Sequence, residues 1–248
     1  MIELPTENGL PSPRPRCVIM GAGGHGRVVL DILLCAGQYE VVAFLDSNPA
    51  LHGRRMDGLS ILGDLKALPE LRSQGVTHAV VAIGDNGVRR SMAEQIERAG
   101  FELINAIHPS ANLARNVSLG RNVVVAAGAL VCAHCQVGDS VILNTGCIVD
   151  HETMIGTAAH VCPGSRIAGR VSIESGAFVG IGATILQGLR IGCEAIIGGG
   201  AVVIEDVEPL TTVVGVPARV VHSSPEVEAF AELMIPPSLR RRPVLAAP

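Results

Sequence analysis

Residues 149–173 read VDHETM-IGTAAH-VCPGSR-IAGRVS-I, with a branched aliphatic at every sixth position: Val149, Ile155, Val161, Ile167 and Ile173. Counting outward in both directions keeps the register. From Leu113 to Val203 the first residue of each hexapeptide is Leu, Ile or Val, sixteen times without a slip. Fifth positions are mostly small or β-branched, as at Ala129, Cys135, Thr153, Ala159, Ser165, Ala177 and Ala183. A period this short, sustained over residues 113–208, belongs to a β-helix in which each hexapeptide is a short strand plus a turn. Three hexapeptides close one triangular coil, so residues eighteen apart stack on neighbouring coils. The first-position side chains fill the prism, and position five has room only for a small neighbour. Corners favour Gly, Asn and Asp, which tolerate unusual φ. At about 4.8 Å per coil, a little over five coils make a prism roughly 25 Å tall. Hexapeptide repeats of this kind form left-handed parallel β-helices, an exception to the right-handed crossover preference.

Composition agrees. Mean hydropathy is +0.42 with only 2% aromatic residues, which suits a narrow interior of Val, Ile and Ala. The apolar runs, such as 123–133, fall short of the roughly 20 residues that span a bilayer, so no membrane association is expected. The first sixteen residues lack the basic and apolar regions of a secretory signal. A net charge of −4 leaves no basic footprint for nucleic acid. Seven scattered cysteines fit a reducing cytoplasm better than a disulfide framework. The expected location is cytoplasmic.

Before the repeat, strand-like and helix-like runs alternate. Cys17–Met20 reads as a buried strand, Gly21–Gly26 as a glycine-rich turn, and Val28, Val29, Ile32 and Leu33 recur at helical spacing. Val41–Leu45 and Ala79–Ile83 are further strands, Val88–Ala99 a helix stopped by Gly100, and Phe101–Asn105 a fourth strand. The reading is α/β plus all-β. A mobile leader (1–15) precedes a small Rossmann-like parallel-sheet domain (16–106), a left-handed β-helix (107–220) and a tail (221–248) with a short helix near Glu226–Leu233. Gly21-Ala-Gly-Gly-His-Gly26 matches G-x-G-x-x-G between strand and helix, with Asp46 twenty residues beyond. It is either a phosphate site at a helix N-terminus or a turn that packs a helix on a sheet. Four strands leave too little α/β structure for a hydride-transfer cofactor; a nucleotide attached to a sugar fits better.

Positions three and four of each hexapeptide point outward, so polar groups there are not demanded by folding. His134, Asn144, Asp150-His151-Glu152 and His160 stand out. His151 and Gly169 are eighteen residues apart and stack at one corner. An imidazole beside an unobstructed backbone N–H suits acyl transfer, with base and oxyanion donor side by side; the alternative is a solvated corner histidine. His134 lies eighteen residues before Glu152 and is expected to pair with it. Cys132-Ala-His-Cys135 has one ligand facing inward and no second ligand pair, so no metal is expected.

Residues 17–220 resemble the bacterial sugar O-/N-acetyltransferases that join a small Rossmann-like domain to a left-handed β-helix. The matching stretches are Gly21–Gly26, Phe44–Asp46, Val81–Asn86, Ile142–Thr145, Val149–Glu152, Gly198–Ala201 and Gly215–Ala218. The resemblance implies a homotrimer with acetyl-CoA between neighbouring prisms. It implies His151 as general base, Glu152 raising its basicity, and Gly169 N–H on the thioester oxygen. His160, Ile181, Gly188 and Gly199 would line the acetyl-CoA groove. Gly23, Gly24, His25 and Asp46 would hold the nucleotide, with Asn144 near the acceptor amine. Asp46-Ser47 departs from relatives with two consecutive acids there and leaves the base open. The implied reaction is N-acetylation of a nucleotide-linked amino-dideoxy sugar. O-acetylation of a sugar such as sialic acid, or a non-catalytic trimeric scaffold, are the alternatives.

Overall fold

A computed structural model describes residues 14–223; the expected leader up to residue 13 and the tail from residue 224, with its helix at Glu226–Leu233, lie outside the described residues. The chain begins with β1 (Arg16–Met20), α1 (Gly24–Ala36) and β2 (Glu40–Leu45). A short hairpin, β3 (Arg55–Met56) and β4 (Leu59–Ser60), leads to α2 (Leu68–Ser73). Then come β5 (His78–Val81), α3 (Asn86–Arg98) and β6 (Glu102–Leu103). The four parallel strands run in the order β2-β1-β5-β6. Helices cover both faces, so β1, β2 and β5 are near-continuous apolar runs rather than alternating ones. The strand order reverses between β1 and β5, and the loops after both strands meet there, at the switch point of an open sheet.

The prism starts at Ala106–Ile107, which pairs with Val124–Val125. This is one hexapeptide before Leu113, the residue from which the unbroken repeat is counted. Three parallel sheets then form its sides. The first face carries Val124–Val125, Ile142–Leu143, His160–Val161, Phe178–Val179 and Ile196–Ile197. The second runs from Asn112–Leu113 to Val202–Val203, and the third from Ser118–Leu119 to Arg190–Ile191. Strands pair at an interval of eighteen residues, as Ile142 with His160 and Val149 with Ile167. Past Val203 the interval drops to sixteen: Ile191 faces Val207 and Ile197 faces Val213. The prism is therefore about six coils tall, because Ile107 keeps the register one hexapeptide before Leu113 and a shortened coil follows Val203. An antiparallel hairpin of Thr211–Val214 and Arg219–Ser223 closes it.

From Val125 to Val203 no first-position side chain is more than 4% exposed. Position four always turns left-handed: from Asn122 to Gly200 every such residue has φ between 55° and 73°. Half of these are not glycine, and they include Glu152, Ala158 and Arg170. A left-handed backbone costs a side-chain-bearing residue about 1–2 kcal/mol. The ladder holds it, since position-four amides such as Glu152 N (to Ala133 O, 2.9 Å) and Arg170 N (to His151 O, 2.8 Å) bond to the coil before. Corner chemistry is thus imposed by the stack more than by residue type.

The two domains are joined along one corner of the prism. Residues 122, 140, 158 and 176 stack there, each at position four. Asn122 Oδ1 accepts the Val81 N–H of β5 at 2.7 Å. Asn86 Nδ2 donates to Gly176 O at 2.8 Å. Between them sits Arg89, fully buried. Its guanidinium donates to Ser140 O (2.7 Å), Ala158 O (2.7 Å), Ile83 O (2.9 Å), Gly84 O (3.0 Å) and Asn86 Oδ1 (2.8 Å). Burial lowers its pKa to about 10, opposed by Asp85, so the cation persists at neutral pH. One side chain therefore ties the loop after β5 to two successive coils. Arg89→Leu would leave those acceptors unpaired at about 1–3 kcal/mol each. A loss of at least about 3 kcal/mol is expected in urea unfolding, with protease cleavage between the domains appearing first.

Candidate active site

The His151 corner lies between the second and third faces. Asp150 Oδ1 accepts His151 N–H at 2.7 Å and fixes the turn. Glu152 Oε2 lies 3.3 Å from His151 Nδ1. With Nδ1–H donated to a carboxylate, Nε2 keeps its lone pair. The ring lies directly over Gly169 on the next coil. A Cβ built at Gly169 would sit 2.6 Å from His151 Nε2 and 2.7 Å from Cε1, so only glycine leaves the ring its seat. The Gly169 N–H has no partner among the described residues, whereas its carbonyl accepts Gly188 N–H at 3.0 Å. An unprotonated imidazole nitrogen and a free backbone donor thus adjoin, with the ring half exposed. His134 does not join them. It bonds to Asn116 on the preceding coil, its own N–H to Asn116 Oδ1 at 3.1 Å. The expected pairing with Glu152 is replaced because that carboxylate turns to His151.

A second cluster occupies the seam between the first face and the N-terminal domain. Gly21 is held at φ 114°, and a Cβ on Gly26 would meet the Gly21 carbonyl at 2.1 Å, so the glycines bring α1 tight against β1. The α1 N-terminus has no side-chain cap and no acid in its first turn, leaving amide donors and the positive dipole end open. Asp46 braces this loop from below: Oδ2 accepts Ala22 N–H and Oδ1 accepts Asn48 N–H, both at 2.8 Å. One amide of the glycine loop and one of the loop after β2 therefore engage the two oxygens of the acid expected to meet a ribose. His25 follows the exposed Gly23 and Gly24 and projects inward toward Arg89 and His160. Burial, then Arg89, lowers the His25 pKa to about 4. His160 is 8% exposed and is also lowered to about 4, by burial, Arg89 and His25, against a backbone bond to Gly84. It is a seam residue under the N-terminal domain, not a position on an open groove of its own chain. Asn144 lies beside it, Nδ2 to Nε2 at 3.2 Å.

Ile181 and Gly199 stack at the corner between the first and second faces, with Ile181 64% exposed and its Cγ2 3.2 Å from a Cβ built on Gly199. Gly188 belongs to the His151 corner. The predicted residues thus form two groups separated by the width of the second face: His151, Glu152, Gly169 and Gly188 on one side; Asn144, His160, His25, Ile181, Gly199 and the glycine loop on the other. Cys147 and Cys162, close to both in sequence, are driven by burial to about 12 and about 11 and offer no thiolate. Asp31, Cys35 and His108 approach within 4.8 Å, but Ser110 N–H donates to His108 Nδ1 at 3.0 Å. That bond puts the ring proton on Nε2 and denies an ion its lone pair. Arg89 was missed in the sequence. Its signal was there: with Ala93 and Ile96 it falls on the buried stripe of α3, where an arginine demands a reason.

Residues 16–96 match the PglD N-terminal domain family. Among curated proteins, UDP-N-acetylbacillosamine N-acetyltransferase of Bacillus subtilis (strain 168) is 32% identical over 110 residues; that alignment covers 44% of this chain and half of that relative's length. Among solved structures, PerB from Caulobacter crescentus, in complex with CoA and GDP-perosamine, is 39% identical with a TM-score of 0.81, covering 89% of this chain and 100% of that one. The acetyltransferase domain of PglB from Neisseria gonorrhoeae FA1090, in complex with acetyl coenzyme A, is 31% identical with a TM-score of 0.78, covering 84% and 100%. No described helix is long and apolar enough to cross a membrane.

Two outcomes test this geometry. Gly169→Ala should leave the fold in place and displace the His151 ring, visible as a changed imidazole titration by NMR; an unaltered titration would count against the stacked seat. Both seam histidines are held neutral well below the unfolded value of about 6.5. The unfolded chain binds more protons between pH 6.5 and about 4, so stability falls as pH drops through that window, by up to about 1.4 kcal/mol per pH unit for each ring. Urea midpoints from pH 7 to 4 should show the loss, and His25→Gln with His160→Gln should flatten it.

Proposed function

This chain belongs to the β-helix sugar N-acetyltransferases that carry a PglD N-terminal domain, and on that premise we propose that it transfers the acetyl group of acetyl-CoA to the 4-amino group of a nucleotide-linked amino-dideoxy sugar. The observation that carries the reaction is the His151 ring seated on Gly169. The neutral amine attacks the thioester carbonyl directly. The Gly169 N–H stabilises the oxyanion, and His151 Nε2 takes the proton that the nitrogen sheds. The C–S bond then breaks, the amide remains on the sugar, and the proton passes to the departing CoA sulfur. Glu152 holds the ring in the tautomer this requires. Cys147 and Cys162 are buried thiols, which supports direct transfer over an acyl-enzyme. The uncapped α1 N-terminus at Gly23, Gly24 and His25 suits the diphosphate of the nucleotide, with Asp46 bracing the loop.

The separation of the two residue groups supports a site built between chains. The glycine loop and His160 face one side of a prism and His151 the opposite corner, so one copy supplies the base and another the nucleotide site. A homotrimer of parallel prisms brings these together three times, with acetyl-CoA between Gly188 of one copy and Ile181 and Gly199 of the next.

Thiol release from acetyl-CoA, with UDP-, GDP- and dTDP-linked 4-amino-4,6-dideoxy sugars and free sialic acid as acceptors, tests the reaction. One nucleotide amino sugar should support turnover, and His151→Ala should lower kcat by about 10²–10⁴; release with sialic acid alone would redirect the reading to O-acetylation. The shared site has its own test. Gly24 has open space around its Cα, so Gly24→Asp places a repelling charge in the loop without disturbing the fold. Co-assembled with His151→Ala, two inactive proteins should recover about a quarter of wild-type activity, the fraction of sites in a random trimer that combine an intact base with an intact loop. No recovery would place both halves in one chain.

A further inference from the structure

Each face of the prism carries one outward column, made of the sixth residue of every hexapeptide. The first residue points into the prism, so its strand neighbour points out. On the first face the N-terminal domain covers this column, and Val124, Ile142 and His160 are buried. On the third face the column holds one arginine, Arg190, and two acids pair with it: Glu174 at 3.2 Å and Glu208 at 3.5 Å. The second face is different. Its column reads Asn112, Leu130, Ile148, Arg166, Thr184 and Val202. Three of these are aliphatics left partly exposed, a surface suited to cover by another molecule. Arg166 is the single charge among them. It stacks between Ile148 and Thr184 and is exposed. Among the described residues no carboxylate pairs with it. On the coil below, Asp150 and Glu152 are already engaged at the His151 turn.

The two corners that bound this face are the His151 corner and the Ile181–Gly199 corner. In the assembly proposed above, one corner meets the other of the next copy around a closed ring, and the face between them is turned to the axis. The aliphatic rows of three copies then cover one another, and three Arg166 side chains arrive at the same height. Like charges brought together in this way repel, and neither Ile148 below nor Thr184 above supplies a countercharge. We propose that the three Arg166 guanidiniums, one from each copy, hold a single small oxyanion of the phosphate class on the threefold axis. A guanidinium presents its donors as a planar fork, and three forks around an axis suit the oxygens of a tetrahedral anion. The anion is then a structural ion of the trimer, away from the reacting groups. This site rests on the inter-chain assembly and is independent of which sugar is acetylated.

Phosphate titration calorimetry together with sedimentation velocity tests it, in buffers matched in ionic strength with chloride. The open α1 N-terminus is a second place for phosphate, once per chain, so both measurements use the full chain carrying Gly24→Asp. One phosphate should bind for every three chains. Phosphate should also lower the protein concentration at which the trimer dissociates by about tenfold relative to chloride. Arg166→Gln in the same background, an exposed substitution that removes the repulsion, should sediment as a trimer in either buffer and lose the phosphate heat. A trimer that takes up no phosphate, uptake of one ion per chain, or undiminished uptake by Arg166→Gln would each overturn the axial site. A monomer in both buffers would overturn it together with the inter-chain assembly. One ion per trimer, in a protein whose wild type is inactive toward every acceptor, would uphold the site and count against the reaction alone.

Discussion

The structure depends on one constraint, that residues eighteen apart exchange backbone hydrogen bonds. That interval stacks every first-position aliphatic into a continuous interior and every fourth-position residue into a left-handed corner. Any shift by one residue would turn the aliphatic row outward. The interval shortens by two residues only after Val203, just ahead of the closing hairpin. Because the ladder fixes φ at the corners, residue identity there is free. Glu152 and Arg170 occupy positions that local preference would give to glycine, and chemistry enters the fold at those positions.

The same interval governs how the two domains meet. A column of position-four residues, Asn122, Ser140, Ala158 and Gly176, presents polar backbone and side-chain groups at regular spacing along one corner. The N-terminal domain answers with Val81, Arg89 and Asn86. Arg89 is expensive to bury, and among the described residues no carboxylate is paired with it. Six oxygen acceptors disperse its charge, and burial, with its field, keeps His25 and His160 neutral. An apolar side chain there would pack without tying the loop after β5 to the coils, and the seam geometry would lose its reference point.

On this frame the first residue cluster is a product of register and the second of register and docking together. His151 and Gly169 adjoin because their numbers differ by eighteen. His160 and Asn144 adjoin on successive coils of the first face, His25 joins them because a domain is laid on that face, and the cluster faces away from His151 of the same chain. The His151 ring is half exposed, whereas His160 is covered by its own N-terminal domain.

The sequence by itself determined the β-helix, the α/β domain before it, the family, and the stacking of His151 on Gly169, because a six-residue period leaves only one register that buries every aliphatic. It also held a trace of Arg89, as an arginine on an apolar helical stripe. It did not show the shortened coil after Val203, where the period fails. It set His134 on Glu152, because stacking predicts which residues are neighbours and not which rotamers they choose. The burial of His160, the bracing role of Asp46 and the orientation of Asn144 were decided only by tertiary structure. The burial of His160 depends on the N-terminal domain meeting the first face across the seam. Asp46 depends on the glycine loop reaching it through the Ala22 amide, and Asn144 on His160 of the next coil and the Thr145 amide. Backbone partners carry no residue identity and so leave no mark in the sequence.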